Sequence, residues 1–194
     1  MTAERHQELV IARFHRGIQA KMAVGERLAP EVALAAERIV EGLLGGGHLL
    51  IAGLGAGRHL AALLQQGIAH GFEFARPALP SILLEDGAEA AGTEEHPLGA
   101  RIRALGRAED RLILVAPGAT DPALHAALRA AHSRDLPCIL LHAMAGSDRL
   151  ELAAHDIELS ADSDQLSLAL EVQLAVILAL CTLIERHLFG GHTT

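Results

Sequence analysis

The stretch HLLIAGLGAGRHL, residues 48–60, decides the fold of this chain. Its apolar residues run directly into Gly53, Gly55 and Gly57, and a helix-like pattern follows to about residue 70. This order predicts a buried strand that turns sharply into the N-terminus of a helix. The close approach that glycines allow, the positive end of a helix and the charge of Arg58 are together typical of a phosphate site.

Two interpretations of this turn stay open. In the first, Gly53, Gly55, Gly57 and Arg58 bind an anionic ligand. In the second, the glycines only permit a tight turn between strand and helix. The spacing G-x-G-x-G departs from the dinucleotide fingerprint G-x-G-x-x-G, and the turn contains no hydroxyl side chain. On these residues alone the second interpretation is the stronger one.

Four more short apolar runs follow, at residues 81–84, 111–116, 137–143 and 155–160. Longer polar or helix-patterned segments separate them, among them residues 121–133 and 147–153. This alternation predicts an α/β sandwich, a parallel sheet covered by helices. The polar, Gly/Ala-rich stretch 85–100 is expected to be an exposed, mobile loop.

Both ends of the chain are predicted to be helical. The first 45 residues form two segments divided at Pro30 and Glu31. Their apolar positions at helical spacing are Leu9, Phe14, Ile18 and Met22, then Val32, Ala36, Ile39, Leu43 and Leu44, and three glycines at 45–47 end the second segment. Residues 164–189 form a long helix that is apolar around most of its circumference. Such a helix needs cover from its own sheet and from another subunit, so we expect an oligomer.

Length and charge limit the classes of function. A chain of 194 residues is predicted to fold as one domain over 1–194, with a helical segment 1–45 and an α/β core 46–194. A net charge of −8 argues against direct binding to nucleic acid or anionic membranes. The N-terminus has no apolar signal segment, and no run reaches the roughly 18 apolar residues of a membrane span. We therefore predict a soluble, cytoplasmic protein.

Other chemical groups give weaker signals. Cys138 and Cys181 lie inside apolar runs, as buried free thiols do in a reducing cytoplasm. The 12 histidines are scattered without paired ligand spacing, so we predict no metal site and no cofactor. Thr120 or Asp121 is expected to cap a helix that begins at Pro122, which leaves few donors there for an anion.

Two polar residues interrupt the long C-terminal helix, Glu171 and Gln173. A buried Glu171 with a raised pKa is a candidate general base. The alternative is a hydrogen-bonded group in the core or at an interface, which is at least as frequent for a polar side chain in a buried helix.

The order of these elements, with RPALPSILL at 76–84, IRALGRAEDRLILV at 102–115 and LCTLIERHLF at 180–189, resembles the sugar isomerase (SIS) domain family. Within it, the chain is most similar to the phosphoheptose isomerase branch and, inside that branch, to the DnaA initiator-associating (DiaA-like) group. The resemblance implies a three-layer fold with a five-stranded parallel sheet and helices on both faces. It also implies a homotetramer with ligand sites at subunit interfaces.

The chain departs from the family at its motifs. A Cys-Gly-Asn-Gly-Gly-Ser-like turn matches residues 52–57, which lack the asparagine and the serine, and a hydroxyl-rich phosphate loop matches residues 116–121, which lack most donors. The His/Glu set that handles metal and proton transfer in the isomerases falls on Leu63, on the pair Gln66–Gly67 and on Gln173. Leucine and glutamine cannot transfer a proton at neutral pH, so the resemblance implies that the family's reaction is lost.

The function predicted from these departures is that of a non-catalytic oligomer. It would bind the replication initiator DnaA and gather it at the origin by multivalency, with Leu188 and Phe189 as the contact that the resemblance assigns. The simpler structural alternative is that Phe189 folds back on its own core. The alternative function is an isomerase of a phosphosugar such as sedoheptulose 7-phosphate, with the glycine turn and Arg58 on the phosphate and Glu171 as base, or a sensor that binds a phosphosugar without reaction.

Overall fold

The computed structural model describes residues 3–72, 74–85, 96–116, 121–143 and 150–190. In those ranges the chain forms five helices and five strands, in the order α1 Ala3–Leu44, β1 Leu49–Gly53, α2 Gly57–His70, β2 Ser81–Leu84, α3 Pro97–Leu105, β3 Arg111–Val115, α4 Pro122–His132, β4 Cys138–His142, β5 Ile157–Ser160 and α5 Leu166–Phe189.

The five strands form one parallel sheet in the order β2-β1-β3-β4-β5. Leu49 of β1 lies opposite Ser81 on one side and Arg111 on the other. Strands β1 and β4 are buried at every position, as expected for a parallel sheet whose two faces are both covered. The predicted fold class is confirmed. Because all strands run the same way, their carboxyl ends meet at one edge of the sheet.

Alternate side chains of the strands enter two separate cores. Ile51 and Ile113 face a layer formed by α1, α2 and α5, which contributes residues such as Ile177. Leu50 and Leu112 face the opposite layer, formed by α3 and α4. The sequence therefore specifies a three-layer arrangement through the period of two in its strands.

The first helix is continuous, so the predicted break at Pro30 and Glu31 is wrong. Pro30 lies inside α1, where its missing N–H removes one backbone hydrogen bond. A stripe of buried residues that includes Val24, Leu28 and Val32 spans the proline and packs on the core that α5 shares. Burial of this stripe offsets the local cost of proline, which is about 3 kcal/mol in a helix interior.

The N-terminal half of α1 is not a core helix. Leu9 is 55% exposed, Phe14 70% and Met22 63%, and Ile18 is exposed as well. Their helical spacing correctly indicates a helix, but these side chains are not buried in the single chain. In the C-terminal half, Ile39 is buried, whereas Leu44 at the last position is exposed.

Helix α5 is long and apolar enough to cross a membrane by length and composition. Its buried positions, Ala169, Ile177 and Ile184 among them, instead join the core that α1 and α2 share. The expectation that no segment is long and apolar enough for a membrane span therefore needs correction for α5, which the structure places partly in the core. One helix that meets the membrane criteria is weak evidence when the core of a soluble domain explains the same composition.

Two further expectations concern segments between the strands. Residues 150–153 are not helical, and the rest of the predicted segment 147–153 lies outside the described residues. The stretch 85–100 is not all loop, because α3 begins at Pro97 and buries Leu98. Residues 86–95, which hold most of that stretch, lie outside the described residues.

Candidate functional site

The glycine turn joins the carboxyl end of β1 to α2. Gly55 adopts a φ of 50°, in the left-handed region that favours glycine. The Gly57 N–H donates to the Leu54 carbonyl at 2.8 Å, and the Leu54 N–H donates to the Val115 carbonyl at 2.9 Å. A Cβ on Gly57 would lie 2.9 Å from the Val115 carbonyl carbon. Close packing of the turn on β3 therefore accounts for Gly55 and Gly57 without a ligand.

A cavity of about 320 Å³ opens beside this turn, at the carboxyl ends of β1 and β2. Its lining combines Gly53, Arg58 and His59 from the turn and first part of α2 with Glu85 at the end of β2. Two of the predicted ligand residues, Gly53 and Arg58, thus meet at one cavity, while Gly55 and Gly57 shape the turn behind it. His59 and Glu85 are functional candidates that the sequence analysis missed.

The chemistry of this cavity is that of an anion site beside acid–base groups. The guanidinium of Arg58 offers several N–H donors to a phosphate, in the geometry that suits bidentate contacts. Imidazole is the side chain used most often for general acid–base catalysis, and His59 places one beside that arginine. Glu85 adds a carboxylate, and the Arg101 side chain donates to the Glu85 carbonyl at 2.5 Å, which fixes the end of β2.

The positions at which the family carries its metal and proton-transfer groups do not fit a metal ion here. Leu63 has no donor atom, and Gln66 is exposed. At Gly67 a Cβ would meet the Phe72 ring and lie 3.0 Å from the Cys181 sulfur, so this packing leaves no room for a carboxylate. Gln173 is buried and donates to the Ala116 carbonyl at 3.0 Å. We derive no chemical step through a metal at these positions.

Glu171 is not a buried base with a raised pKa. Its carboxylate accepts a hydrogen bond from the Lys21 ammonium at 2.7 Å and pairs with the Arg13 guanidinium at 2.5 Å. The Lys21 hydrogen bond, together with Arg13, lowers the pKa of Glu171 below its ordinary value. All of these contacts come from α1, so Glu171 anchors α1 to α5 and does not line the cavity beside the glycine turn.

The lowered pKa predicts how Glu171 contributes to stability as pH changes. A carboxyl whose pKa is lower in the folded chain stabilises it above the unfolded value of about 4.3. That contribution disappears as pH falls through the folded pKa. We expect Glu171→Gln to lower the stability at pH 7 by no more than about 1 kcal/mol, because a third of the side chain is in solvent. Thermal melts from pH 3 to 7 should show the two proteins converging in acid, whereas a raised pKa would require the opposite trend.

The C-terminal pair Leu188 and Phe189 is partly packed on the chain itself. Leu188 packs on the core, and the Phe189 ring lies edge-on to Phe74 at 6.4 Å and 5.6 Å from the Arg76 guanidinium. Phe189 is 37% exposed and lies outside the core cluster. The role of this pair as a partner contact stays a prediction.

The predictions for the cap of α4 and for the two cysteines are confirmed by the structure. Asp121 caps α4 by accepting the Ala123 N–H at 2.9 Å, and Pro122 is the first helical residue, while Thr120 lies outside the described residues. Cys138 and Cys181 are buried free thiols. Burial raises the pKa of Cys181 to about 12, so this thiol is not a nucleophile at neutral pH.

Comparison with known proteins gives the same family from sequence and from structure. The chain is 32% identical over 191 residues to a phosphoheptose isomerase of Halorhodospira halophila, an alignment that covers 95% of this chain and 96% of the relative. The chain belongs to the phosphoheptose isomerase family. A phosphoheptose isomerase of Alkalilimnicola ehrlichii is 29% identical over 94% of this chain and 96% of its own. No protein-family model matches the chain.

Solved phosphoheptose isomerase structures share the fold throughout. The enzyme of Francisella tularensis superposes with a TM-score of 0.80 at 25% identity, over 96% of this chain and 100% of that one. GmhA of Neisseria gonorrhoeae gives 0.79 at 25% identity, over 92% and 98%. The SIS-domain resemblance drawn from the sequence is confirmed, with the family's five-stranded sheet and helices on both faces.

These relatives overturn the prediction of a non-catalytic DnaA-binding protein. The proteins to which this chain is similar over nearly its whole length are phosphoheptose isomerases, and their names connect them to sugar chemistry. Nothing in them supports a role in replication initiation. The alternative function, an isomerase or sensor of a phosphosugar, is the better supported one.

Proposed function

We propose that this protein is a cytoplasmic phosphosugar isomerase that interconverts an aldose and a ketose phosphate such as sedoheptulose 7-phosphate. The observation that carries the proposal is the cavity at the carboxyl ends of β1 and β2, where Arg58 lies beside His59 and Glu85. Parallel α/β sheets bind ligands at this edge. Membership of the phosphoheptose isomerase family supports a phosphosugar as the ligand.

In the proposed reaction, the Arg58 guanidinium binds the phosphate, which positions the carbonyl end of the sugar. A base removes the proton from the carbon beside the carbonyl, and the carbonyl oxygen gains a proton to give an enediol. Loss of the other hydroxyl proton, with return of a proton to the former carbonyl carbon, completes the isomerisation without any change in composition. His59 is the proposed base and Glu85 the group that exchanges the hydroxyl proton.

A second candidate function is phosphosugar binding without turnover. Leu63 and Gly67 favour it, because the family's metal and proton-transfer groups have no counterpart at these positions and Gly67 cannot accept a side chain. Both candidates use the same cavity and the same phosphate contact. They differ only in whether the proton moves.

One experiment separates the two functions. The purified chain is incubated with sedoheptulose 7-phosphate, and the aldose product is followed by NMR, while thermal melts with the sugar phosphate and with inorganic phosphate report binding. Turnover that His59→Gln abolishes supports the isomerase, with His70→Gln as the matched control, since His70 is exposed at the other end of α2. Binding without turnover establishes the second candidate. A chain that neither binds nor turns over the sugar overturns both.

Arg58 should carry much of the affinity for the phosphate. Removing a hydrogen bond to a charged group costs about 1.5–3 kcal/mol, so Arg58→Ala should weaken binding of the sugar phosphate by about tenfold or more. The fold should be unaffected, because Arg58 is exposed. Arg129→Ala, an exposed arginine on α4, serves as the control. If both variants bind the sugar phosphate with equal affinity, the phosphate does not bind in this cavity.

We also propose that the protein is a homotetramer that uses α1 and α5 as its interface. The exposed apolar side chains Leu9, Val10, Ile11, Phe14, Ile18 and Met22 all belong to α1. An apolar groove of about 410 Å³ continues between α1 and α5, lined by residues such as Val24 and Val176. Patches of this kind are covered by a partner in soluble proteins, and a second copy of the chain brings an equivalent patch.

Sedimentation equilibrium tests this proposal. Phe14→Glu should lower the mass toward that of one chain while circular dichroism shows an unchanged fold. Leu44→Glu, at an equally exposed position on the same helix, is the control and should leave the mass unchanged. A wild-type chain that stays monomeric at all concentrations would contradict the interface.

A further inference from the structure

A cluster of metal-ligand side chains lies at the edge of the sheet opposite the glycine turn. His132 is the last residue of α4, Cys138 the first of β4, and Asp156 immediately precedes β5. The strands are parallel, so the amino ends of β4 and β5 meet at this edge. The cluster and the phosphosugar cavity therefore lie at opposite edges of the sheet.

The ligand atoms of these three residues converge on one point. The His132 nitrogen, the Cys138 sulfur and an Asp156 carboxylate oxygen all lie within 4.8 Å of one another. His132 Nε2 is 2.7 Å from Asp156 Oδ2. Asp156 has no exposed side-chain surface and Cys138 is 1% exposed. Among the described residues, this is the group of three or more histidine, cysteine and acidic side chains with such spacing.

Backbone contacts hold the carboxylate in place. The Cys138 N–H donates to Asp156 Oδ1 at 2.9 Å, and the Ala153 N–H donates to Asp156 Oδ2 at 2.8 Å. Hydrogen bonds of this kind orient a ligand carboxylate around a metal before the metal arrives. Asp156 is thus fixed between the histidine and the cysteine by the fold itself.

A cavity connects the cluster to solvent and brings a possible fourth ligand close to it. Cys138, Asp156 and His155 line a cavity of about 300 Å³. His155 Nε2 is 3.7 Å from Asp156 Oδ1, and its ring meets the His132 ring edge-on at 6.3 Å. Arg111 also lines the cavity, but its guanidinium donates to the carbonyls of Arg38, Glu109 and Asp110.

We propose that His132, Cys138 and Asp156 bind a divalent cation of the zinc class, with His155 or a water molecule as the fourth ligand. Imidazole nitrogen, thiolate sulfur and carboxylate oxygen are the donor types that zinc selects in tetrahedral sites. The cation takes the place of the hydrogen between His132 Nε2 and Asp156, and the neutral imidazole ring carries its proton on Nδ1 instead. The proton of the Cys138 thiol leaves to solvent as the thiolate binds the cation. The site joins α4, β4 and the turn before β5, so its role is structural.

Geometry requires only a small adjustment on binding. Two ligands at tetrahedral angles and zinc distances of about 2.0–2.2 Å lie about 3.4 Å apart. The 2.7 Å contact between His132 and Asp156 must therefore lengthen by about 0.7 Å, which a rotation of the partly exposed His132 ring supplies. Burial and the Asp156 charge raise the pKa of the Cys138 thiol, so without a cation this cysteine is a protonated core residue.

Cobalt reports the site without any assay of activity. The untagged full-length chain is treated with a chelator, desalted and titrated with Co²⁺, and the thiolate-to-cobalt charge-transfer band is followed in the near ultraviolet. We expect the band to saturate at one Co²⁺ per chain and to disappear when Zn²⁺ displaces the Co²⁺. Stoichiometric Zn²⁺ should also raise the melting temperature by about 5 °C.

Variants assign the ligands. Cys138→Ala and His132→Gln should remove the band or weaken Co²⁺ binding at least tenfold. Cys181→Ala is the matched control, since Cys181 is the other buried free thiol and packs near Gly67 in the opposite layer. A wild-type chain without a charge-transfer band overturns the proposal, as does a band that survives Cys138→Ala or disappears in Cys181→Ala. Neither result affects the phosphosugar cavity, which is tested by turnover and by Arg58→Ala.

Discussion

Arg76→Ala is expected to lower the free energy of unfolding by about 3–5 kcal/mol, the range for breaking a buried ion pair. The side chains of Arg76 and Glu185 are each 1% exposed, and Arg76 Nε donates to Glu185 Oε1 at 2.9 Å. The same guanidinium donates to the carbonyls of Ile68 at 2.9 Å and Gly67 at 2.7 Å, near the end of α2. Alanine would leave the Gly67 and Ile68 carbonyls with only their backbone N–H donors. The buried Glu185 carboxylate would keep the Phe72 N–H but no positive charge.

Urea unfolding at pH 7 measures this loss. The control is Arg38→Ala, which breaks an equally short ion pair with Glu41 at 2.8 Å whose side chains are more than half exposed. That variant should lose less than about 0.5 kcal/mol. Adding Glu185→Gln to Arg76→Ala should recover part of the stability, because the uncompensated charge is then gone. Losses of the same size in Arg76→Ala and Arg38→Ala would show that burial does not govern this pair.

Gly57→Ala is expected to be strongly destabilising, because the turn packs against the backbone of β3. Its Cβ would overlap the Val115 carbonyl oxygen and lie 2.9 Å from the carbonyl carbon. The obstacle is backbone in the centre of the sheet, which cannot rotate away as a side chain can. We expect a loss of about 2–3 kcal/mol. The cavity should change with it, since α2 must move away from β3 and carry Arg58 along.

Gly25→Ala is the opposite case and the control. Gly25 lies inside α1, and a Cβ there meets nothing within 4 Å. Alanine should stabilise the chain by about 0.5–1 kcal/mol through its better helix propensity. The measurement is urea unfolding of both variants, with binding of the sugar phosphate to Gly57→Ala. If Gly57→Ala and Gly25→Ala have similar free energies of unfolding, the turn accommodates a Cβ at Gly57 without loss of stability.

The sheet was predictable from the sequence because the pattern of its strands is compatible with few other structures. Runs such as residues 112–116 are apolar at every position and separated by helix-length segments, a pattern that a parallel sheet with both faces covered produces. Helix α1 was harder. Pro30 is a strong local signal for a break, and only the packing of residues far along the chain overrides it.

The candidate site was predictable in part. Gly53 and Arg58 were found from the turn motif, whereas His59 and Glu85 were missed, although each directly follows residues already assigned to the edge of the sheet. The rule that ligands bind at the carboxyl ends of parallel strands would have identified both. Glu171 could not be assigned from sequence, because its partners Arg13 and Lys21 are about 150 residues away. The metal-ligand cluster was missed for the same reason, since His132, Cys138 and Asp156 have no recognisable spacing.

The pairing of the first helix with the last one also governs how the chain acquires its structure. Contacts such as Lys21 with Glu171 and Arg27 with the Ser160 carbonyl close loops of well over a hundred residues. Loop closure of this length must precede the stabilisation that it brings, so these contacts slow folding. During synthesis α1 leaves the ribosome first and α5 near the end. Until then the apolar stripe of α1 lacks α5, the helix with which it makes most of its contacts, so the nascent chain exposes apolar surface that a chaperone can bind.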